Sequence, residues 1–197
     1  MNKPGVIHLA ALCAALALAG LAKIASAETV ALPQGFSIEL PEGWVVDGPP
    51  EGELSRSGLR RVWFACESEA CEQTQETCTI LMSAEPLEGE GDAGKLREMY
   101  ASPLKRYARL RAVLQASGRD AEIRKPLERV RIGERDWYRV ETDARHNYKS
   151  GLYAETVIDG LYVGAICKSC ETGEERHSAA SQILRSMTRD AGAAAPR

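Results

Sequence analysis

The sequence lacks the short motifs that identify common enzyme classes. It contains no P-loop, Rossmann, zincin or Gly-x-Ser-x-Gly pattern. Histidine is scarce, with three residues in 197, and only His146 and His177 follow the N-terminal segment. A Ser-His-acid or Cys-His site would have to use one of them. We interpret His146 as a solvated loop residue and His177 as a non-catalytic residue at the start of a helix, and we therefore expect a protein that is not an enzyme.

The sequence also lacks a strong excess of charge of either sign. It has 25 Lys and Arg, 28 Asp and Glu, and 44% hydrophobic residues, which is the composition of a water-soluble globular protein. This composition excludes a collagen, a fully disordered chain and a multi-span membrane protein. The weak acidic balance argues against a dedicated nucleic-acid binder.

Residues 1–27 have the pattern of a signal peptide. Lys3 supplies the positive charge, an apolar run follows from Val6 to Ala22, and Ala25-Ser26-Ala27 is a small-x-small cleavage pattern. We predict cleavage after Ala27 and a periplasmic or secreted location, with no membrane span after cleavage. The alternative, an uncleaved anchoring helix, is less favoured because the apolar run is short and rich in alanine.

Five cysteines follow the signal peptide, so at least one has no partner within the chain. An oxidising compartment favours disulfides. We expect Cys66 to pair with Cys78 across the base of a hairpin, and Cys167 and Cys170 to pair with each other or with Cys71. Two alternatives remain open: thiol–disulfide exchange at the Cys167-Lys-Ser-Cys170 sequence, and zinc held by four ligands drawn from the five cysteines and His177. We predict no metal and no cofactor.

Alternating apolar and polar residues predict a mainly antiparallel sheet. Phe36, Ile38 and Leu40 mark an early strand, and residues 45–60 are predicted to be mostly loop. Asp159-Gly160 is the clearest hairpin signal, because this pair tolerates the positive φ of a tight turn. The other predicted strands cover residues 61–66, 78–84, 121–132, 136–142, 148–159 and 160–167.

Apolar residues at steps of three and four predict two helical regions. The first has one apolar stripe, but the Ser102-Pro103 pair leaves open one kinked helix or two helices. The second covers about residues 174–188. The stripe of the first region is Leu96, Tyr100, Pro103, Tyr107, Leu110 and Leu114, and the second region is expected to bury Ala180, Ile183, Leu184 and Met187. Together these elements predict a single α+β domain over residues 28–190, with about six strands, helices on the sheet faces and a flexible tail at 191–197.

Two features are candidate binding surfaces. One face of the first helical region carries four basic residues, which we interpret mainly as a solvated face and secondly as a site for an acidic partner: Lys105, Arg106, Arg109 and Arg111. Trp137-Tyr138 places one ring on each sheet face, so Trp137 is an additional candidate. Glu141, Asp143 and Glu155 could form a paired-carboxylate site, but alternation within the strands scatters them.

The segments GFSIELPEGW (35–44) and TVIDGLYVGAI with SAASQILRSM (156–187) resemble the two ends of the PsbP-like superfamily. The resemblance implies a central antiparallel sheet with helices packed over its faces. It carries no ligand motif, so the manganese and calcium connections of the photosystem member are not expected here. We therefore expect an exported, non-enzymatic domain that binds an envelope protein or a small ligand, or that assists an assembly in the envelope. The alternative is a thiol or metal-handling protein using Cys167 and Cys170.

Overall fold

The computed structural model describes residues 27–118, 120–145, 147–174, 176–190 and 192. The predicted signal peptide, apart from Ala27, lies outside the described residues. So do His146 and, apart from residue 192, the predicted tail.

The described chain alternates between strands and three α-helices. The helices are α1 (Asp92–Glu98), α2 (Pro103–Ser117) and α3 (Ser178–Ser186). The early strands are β1 (Glu28–Ala31), β2 (Phe36–Leu40), β3 (Trp44–Val46), β4 (Glu53–Leu54), β5 (Leu59–Cys66) and β6 (Thr77–Ser83). The later strands are β7 (Glu122–Ile132), β8 (Arg135–Asp143), β9 (Ser150–Ile158), β10 (Leu161–Ser169) and β11 (Thr188–Arg189).

The strands form two antiparallel sheets. The main sheet has eight strands, in the order β3-β5-β6-β10-β9-β8-β7, with β4 paired to β5, and the small sheet has the order β1-β2-β11. The Asp159-Gly160 turn joins β9 to β10 as predicted, with φ of 48° and 82° at these two residues. These positive φ values are those of a type I′ turn, which matches the twist of the two strands.

The two faces of the main sheet are covered differently. One face packs against β2 and α3, and this core contains the largest buried side chains, including Phe36, Phe64 and Trp137. The opposite face carries α1 and α2 and a much smaller apolar cluster around Leu96, Tyr100 and Val157. Because this second face is only partly filled, it is where space for a ligand remains.

The predicted number of strands was too low. Residues 45–46 of β3 and all of β4 (Glu53–Leu54) lie inside the 45–60 stretch expected to be loop, and β2 belongs to the small sheet. A strand of two or three residues is too short to show an alternating pattern in the sequence. The pairing of β3 and β4 is instead determined by the neighbouring strand β5.

The two helical regions were predicted more accurately. Ser102 caps α2 by accepting a hydrogen bond from the Lys105 backbone N–H at 3.2 Å, so the first region is two helices. All four residues expected to be buried near α3 are buried: Ala180, Ile183, Leu184 and Met187.

Candidate functional site

Four of the six tyrosines line the space between α2 and one face of the sheet. Tyr153 and Glu155 alternate on β9 and so share this face. Tyr138 is the register partner of Glu155 on β8, and Tyr162 lies on the other neighbouring strand, β10. Tyr100 follows α1 and stacks on Tyr138 with ring centroids 3.8 Å apart. The face therefore presents a continuous aromatic surface around one carboxylate.

Glu155 is the centre of a hydrogen-bond cluster. Its Oε1 accepts from Arg109 Nη1 and from the Tyr162 hydroxyl, each at 2.9 Å, and its Oε2 accepts from the Tyr100 hydroxyl. Burial, then the charge of Glu155, raise the pKa of Tyr100 and Tyr162 well above the ordinary tyrosine value. Both hydroxyls therefore stay protonated and act as fixed donors.

Two glycines allow the rings to lie flat along the sheet. A Cβ atom on Gly164 would lie 2.4 Å from the Tyr162 hydroxyl, and one on Gly151 would lie 2.9 Å from the Tyr153 ring. In the Tyr-x-Gly sequence on β10 and the Gly-x-Tyr sequence on β9, each tyrosine ring occupies the space that a side chain at the glycine position would fill. The aromatic surface therefore depends on the glycines as much as on the tyrosines.

A cleft of about 210 Å³ lies between α2 and this sheet face. Its polar end is formed by Glu155, Arg109 and the hydroxyls of Tyr100 and Tyr162. The remaining wall is mainly aliphatic and comes from both the helix and the sheet: Leu81, Leu110, Ala112, Val113, Ala116, Leu127, Val140, Ala165 and Ile166. The cleft is therefore apolar, with one fixed hydrogen-bonding group.

A second, more polar cavity of about 260 Å³ adjoins the cleft at the C-terminal end of α2 and shares Ala116 and Tyr153 with it. The Ser117 hydroxyl lies 2.8 Å from the Tyr153 hydroxyl oxygen and 3.1 Å from Thr142 Oγ1. These contacts and the Arg109–Glu155 ion pair are polar interactions that hold α2 against the sheet.

The helix over the cleft is loosely packed. None of its residues is fully buried, and Leu104 and Tyr107 are 76% and 62% exposed. The prediction that Tyr107 lies on a buried stripe was wrong. Pro103 is exposed as well. The side of α2 that faces the sheet carries Arg109, Val113 and Ala116, and Tyr107 lies on another side of the same helix.

The four basic residues do not form one free surface. Lys105 pairs with Glu98, and Arg106 Nε donates to the Tyr100 backbone carbonyl at 2.8 Å. Arg109 points inward and binds Glu155 at 2.9 Å, so it belongs to the cleft. Arg111 is exposed, as expected.

Trp137 is not a surface residue, contrary to the prediction. It is 0% exposed and lies in the main core, and its indole Nε1 has no hydrogen-bond partner among the described residues. The other ring of the pair, Tyr138, faces the cleft. The prediction of one ring on each face was right, and the choice between the two rings was wrong.

Both predicted cysteine pairings were wrong. Cys66 is bonded to Cys71, Cys78 is bonded to Cys167, and Cys170 is free and half-exposed. Cys167 is the direct register partner of Cys78 across β10 and β6, whereas Phe64 rather than Cys66 lies opposite Cys78 on β5. The odd number of cysteines does leave one free thiol.

His177 is buried, with 2% exposure, and its Nε2 has no hydrogen-bond partner among the described residues. Burial, then the charges of Arg124 and Lys125, lower its pKa from 6.5 to about 4. Within the described part of the chain, no group of three or more His, Cys, Asp or Glu side chains is arranged to hold a metal ion. The same part of the chain has no helix with the length and apolarity of a membrane span.

Comparison with known proteins identifies the fold but not the activity. No family model and no curated protein matches the sequence. The chain is similar to the solution structure of the cyanobacterial PsbP protein (CyanoP) from Synechocystis sp. PCC 6803, with 19% identity, a TM-score of 0.52 and coverage of 89% of this chain and 99% of that one. It is also similar to a crystal structure from Bacteroides thetaiotaomicron VPI-5482, with 12% identity, a TM-score of 0.51 and coverage of 84% of this chain and 49% of that one.

These similarities define an α+β protein built on a large antiparallel sheet. The chain has a PsbP-like fold, and the resemblance in its sequence is confirmed at the level of the fold. The comparisons bear on the fold alone, and the cleft under α2 is defined by the positions of this chain's own residues.

Proposed function

We propose that this protein is an exported, non-enzymatic binding domain that takes a small, mostly apolar ligand into the cleft beneath α2. The observation that carries the proposal is the cleft itself, about 210 Å³ of space with aliphatic and aromatic walls and one fixed polar cluster. Pockets of this composition are typical of small-molecule sites, in which a few placed polar groups orient an otherwise apolar ligand.

The polar end of the cleft favours a ligand with one hydrogen-bond acceptor. The charges of Glu155 and Arg109 balance each other, so a strongly charged ligand gains little there. Arg109 has five N–H donors; Nη1 donates to Glu155, and the guanidinium also interacts with Tyr162. The remaining donors suit a hydroxyl, carbonyl or ether oxygen, and the tyrosine rings suit an aromatic body.

Calorimetric titration of the chain from residue 28 with 2-naphthol and with indole tests this proposal. Val113 lines the cleft from α2, so Val113→Trp fills it. Ala108 is exposed on the same helix, so Ala108→Trp adds the same ring outside the cleft. We expect the wild type and Ala108→Trp to bind alike and Val113→Trp to lose binding at least tenfold. Equal binding by both variants, or no binding of any aromatic probe, would refute the site.

Export is a separate part of the proposal. It is supported by the N-terminal charge, the apolar run and the cleavage pattern of residues 1–27, and by the two disulfides. N-terminal sequencing of the protein recovered from a periplasmic fraction is expected to begin at Glu28. Recovery of the uncut chain with the membranes would instead indicate an anchor.

The alternative of thiol exchange or metal handling by Cys167 and Cys170 has weaker support. Cys167 is bonded to Cys78 and 1% exposed, so the two cysteines do not act as a pair. A thiol function would rest on Cys170 alone.

A further inference from the structure

A second, chemically different site lies in the connection between β5 and β6. Residues 67–76 contain four glutamates and no lysine or arginine. The Cys66–Cys71 disulfide closes the start of this loop. The Gln75 backbone N–H donates to the Cys71 carbonyl at 2.7 Å, and the Cys170 backbone N–H donates to the Thr74 carbonyl at 2.6 Å. The loop is therefore held at both ends.

Glu76 is buried without a partner for its carboxylate. Its exposure is 8%, and among the described residues no ion pair or side-chain hydrogen bond includes it. Elsewhere the partly buried carboxylates are paired, as Glu141 is with Lys125 at 3.0 Å and Glu155 is with Arg109 at 2.9 Å. The Glu76 oxygens are not among the fully buried, unpaired polar atoms of the described residues, so the carboxylate is accessible from the cavity that Glu76 lines.

The Glu76 carboxylate lines an open cavity of about 360 Å³. Glu67, Glu72 and Gln75 are exposed at its rim, and Tyr148 forms an aromatic wall. The other residues lining it are uncharged: Ala65, Cys66, Ser68, Cys71 and Thr77. Every charged residue that lines the cavity is therefore negative.

The electrostatic state of Glu76 agrees with this description. Burial, then the negative charge of Glu171, raise its pKa from 4.5 to about 7. A cation in the cavity offsets both contributions, because it pairs with the carboxylate and opposes the charge of Glu171.

We propose that this acidic cavity binds an ammonium or guanidinium group, with Glu76 as the buried anchor and Glu67 and Glu72 as the outer charges. A metal ion is disfavoured because the described His, Cys, Asp and Glu side chains bring no three donors together in the arrangement that an ion needs. An ammonium ion needs fewer charged ligands, since Gln75, Ser68 and solvent can accept its remaining hydrogen bonds. Tyr148 closes one side of the cavity with its ring, which already has Lys168 Nζ at 5.8 Å from its centroid.

Such a cation has two sources, a free polyamine or a basic side chain of a protein. Titration of the chain from residue 28, followed by NMR, separates them with two probes: spermidine, and the peptide acetyl-Gly-Lys-Gly-Arg-Gly-amide. A free-amine site binds spermidine at least tenfold more tightly than the peptide, and a protein-docking site shows the reverse order. Either order supports the cation site, provided that the shifted signals include residues 67–76.

Glu76→Gln and Glu90→Gln are the matched pair of variants. Both remove one negative charge, but Glu90 is exposed and lies outside the cavity. We expect Glu76→Gln to weaken the preferred probe at least tenfold and Glu90→Gln to change it less than twofold. Glu171→Gln, which removes the neighbouring charge, is expected to weaken it about threefold.

Three results would overturn the proposal. The first is that neither probe shifts residues 67–76 at millimolar concentration, and the second is that Glu76→Gln and Glu90→Gln weaken binding equally. The third is that Ca²⁺ shifts these signals whereas both amines leave them unchanged. A thermal unfolding curve for Glu76→Gln at or above the wild-type midpoint shows that any loss of binding is not a loss of fold.

Discussion

Cys78 and Cys167 are directly opposite each other on neighbouring strands and are joined by a disulfide, although 89 residues separate them in the sequence. Both are 1% exposed. The bond therefore lies at the centre of the main sheet, where it joins β6, the last strand before α1, to β10, which follows α2 in the sequence. The Cys66–Cys71 bond, with a separation of 5, closes only a local loop.

This difference in loop length predicts a ranking of stability. In the chain-entropy view, a loop of about 90 residues contributes about 4 to 5 kcal/mol and a loop of about five residues about 2 kcal/mol. We expect the Cys78→Ala/Cys167→Ala double variant to lose clearly more free energy of unfolding than Cys66→Ala/Cys71→Ala in guanidinium denaturation. Equal losses would show that loop closure does not explain the contribution of the central bond.

Cys170 is expected to be the single reactive thiol of the processed protein. It is half-exposed and unbonded, with its Sγ 3.4 Å from the Asn147 carbonyl oxygen. Iodoacetamide added to the native, unreduced chain is therefore expected to add one label, and intact-mass measurement of Cys170→Ser to show none. Two or more labels in the native wild type would contradict the two disulfides.

The burial of His177 predicts a loss of stability in acid. Its pKa is about 4 in the folded protein and 6.5 ordinarily, so the unfolded chain binds the proton more readily. The stabilising contribution is complete above pH 6.5 and is lost as the pH falls toward 4. The full effect is about 3 to 4 kcal/mol, because one pKa unit corresponds to about 1.4 kcal/mol.

His177→Asn isolates this effect, because asparagine does not titrate and tolerates the left-handed backbone of this position (φ 65°). Urea denaturation at pH 7 and pH 4.5 is expected to show a larger loss for the wild type than for the variant. Parallel losses would mean that other groups carry the acid sensitivity. Glu76 acts in the opposite direction in both proteins, since its pKa is raised to about 7 and acid relieves its buried charge.

Gly164 is predicted to be essential for the position of Tyr162. An added Cβ would lie 2.4 Å from the Tyr162 hydroxyl, which is held by Glu155 at 2.9 Å. Gly164→Ala is expected to cost about 1 to 3 kcal/mol and to release this hydrogen bond. Gly94→Ala is the control, because nothing lies within 4 Å of its added Cβ inside α1, and alanine there is expected to add up to about 1 kcal/mol. Equal stability of the two variants would contradict the close packing over Gly164.

The parts of the fold that local pattern specifies were predicted well. Phe36, Ile38 and Leu40 are each 1% exposed on β2, and Asp159-Gly160 forms the expected turn. In each case the signal lies within a few neighbouring residues, either as alternation or as a backbone preference.

The cleft could not be predicted in the same way. The sequence pattern associates Glu155 only with other carboxylates, whereas its partners come from the turn after α1 (Tyr100), from α2 (Arg109) and from β10 (Tyr162). The disulfide pairings were predicted wrongly for the same reason. β6 and β10 are far apart in the sequence, so their pairing is not visible in the local pattern of residues. The usable signal was the placement of Gly151 and Gly164 two residues from Tyr153 and Tyr162, which marks rings lying flat on a sheet.

The most direct test of the proposed binding function is to locate the bound probe. ¹H–¹⁵N NMR spectra of the chain from residue 28 can be recorded during titration with 2-naphthol. We expect saturable shifts confined to α2 and to the parts of β8, β9 and β10 around Tyr138, Glu155 and Tyr162, with none in Val113→Trp. The absence of saturable shifts there, or their persistence in the filled variant, would contradict a ligand site beneath α2.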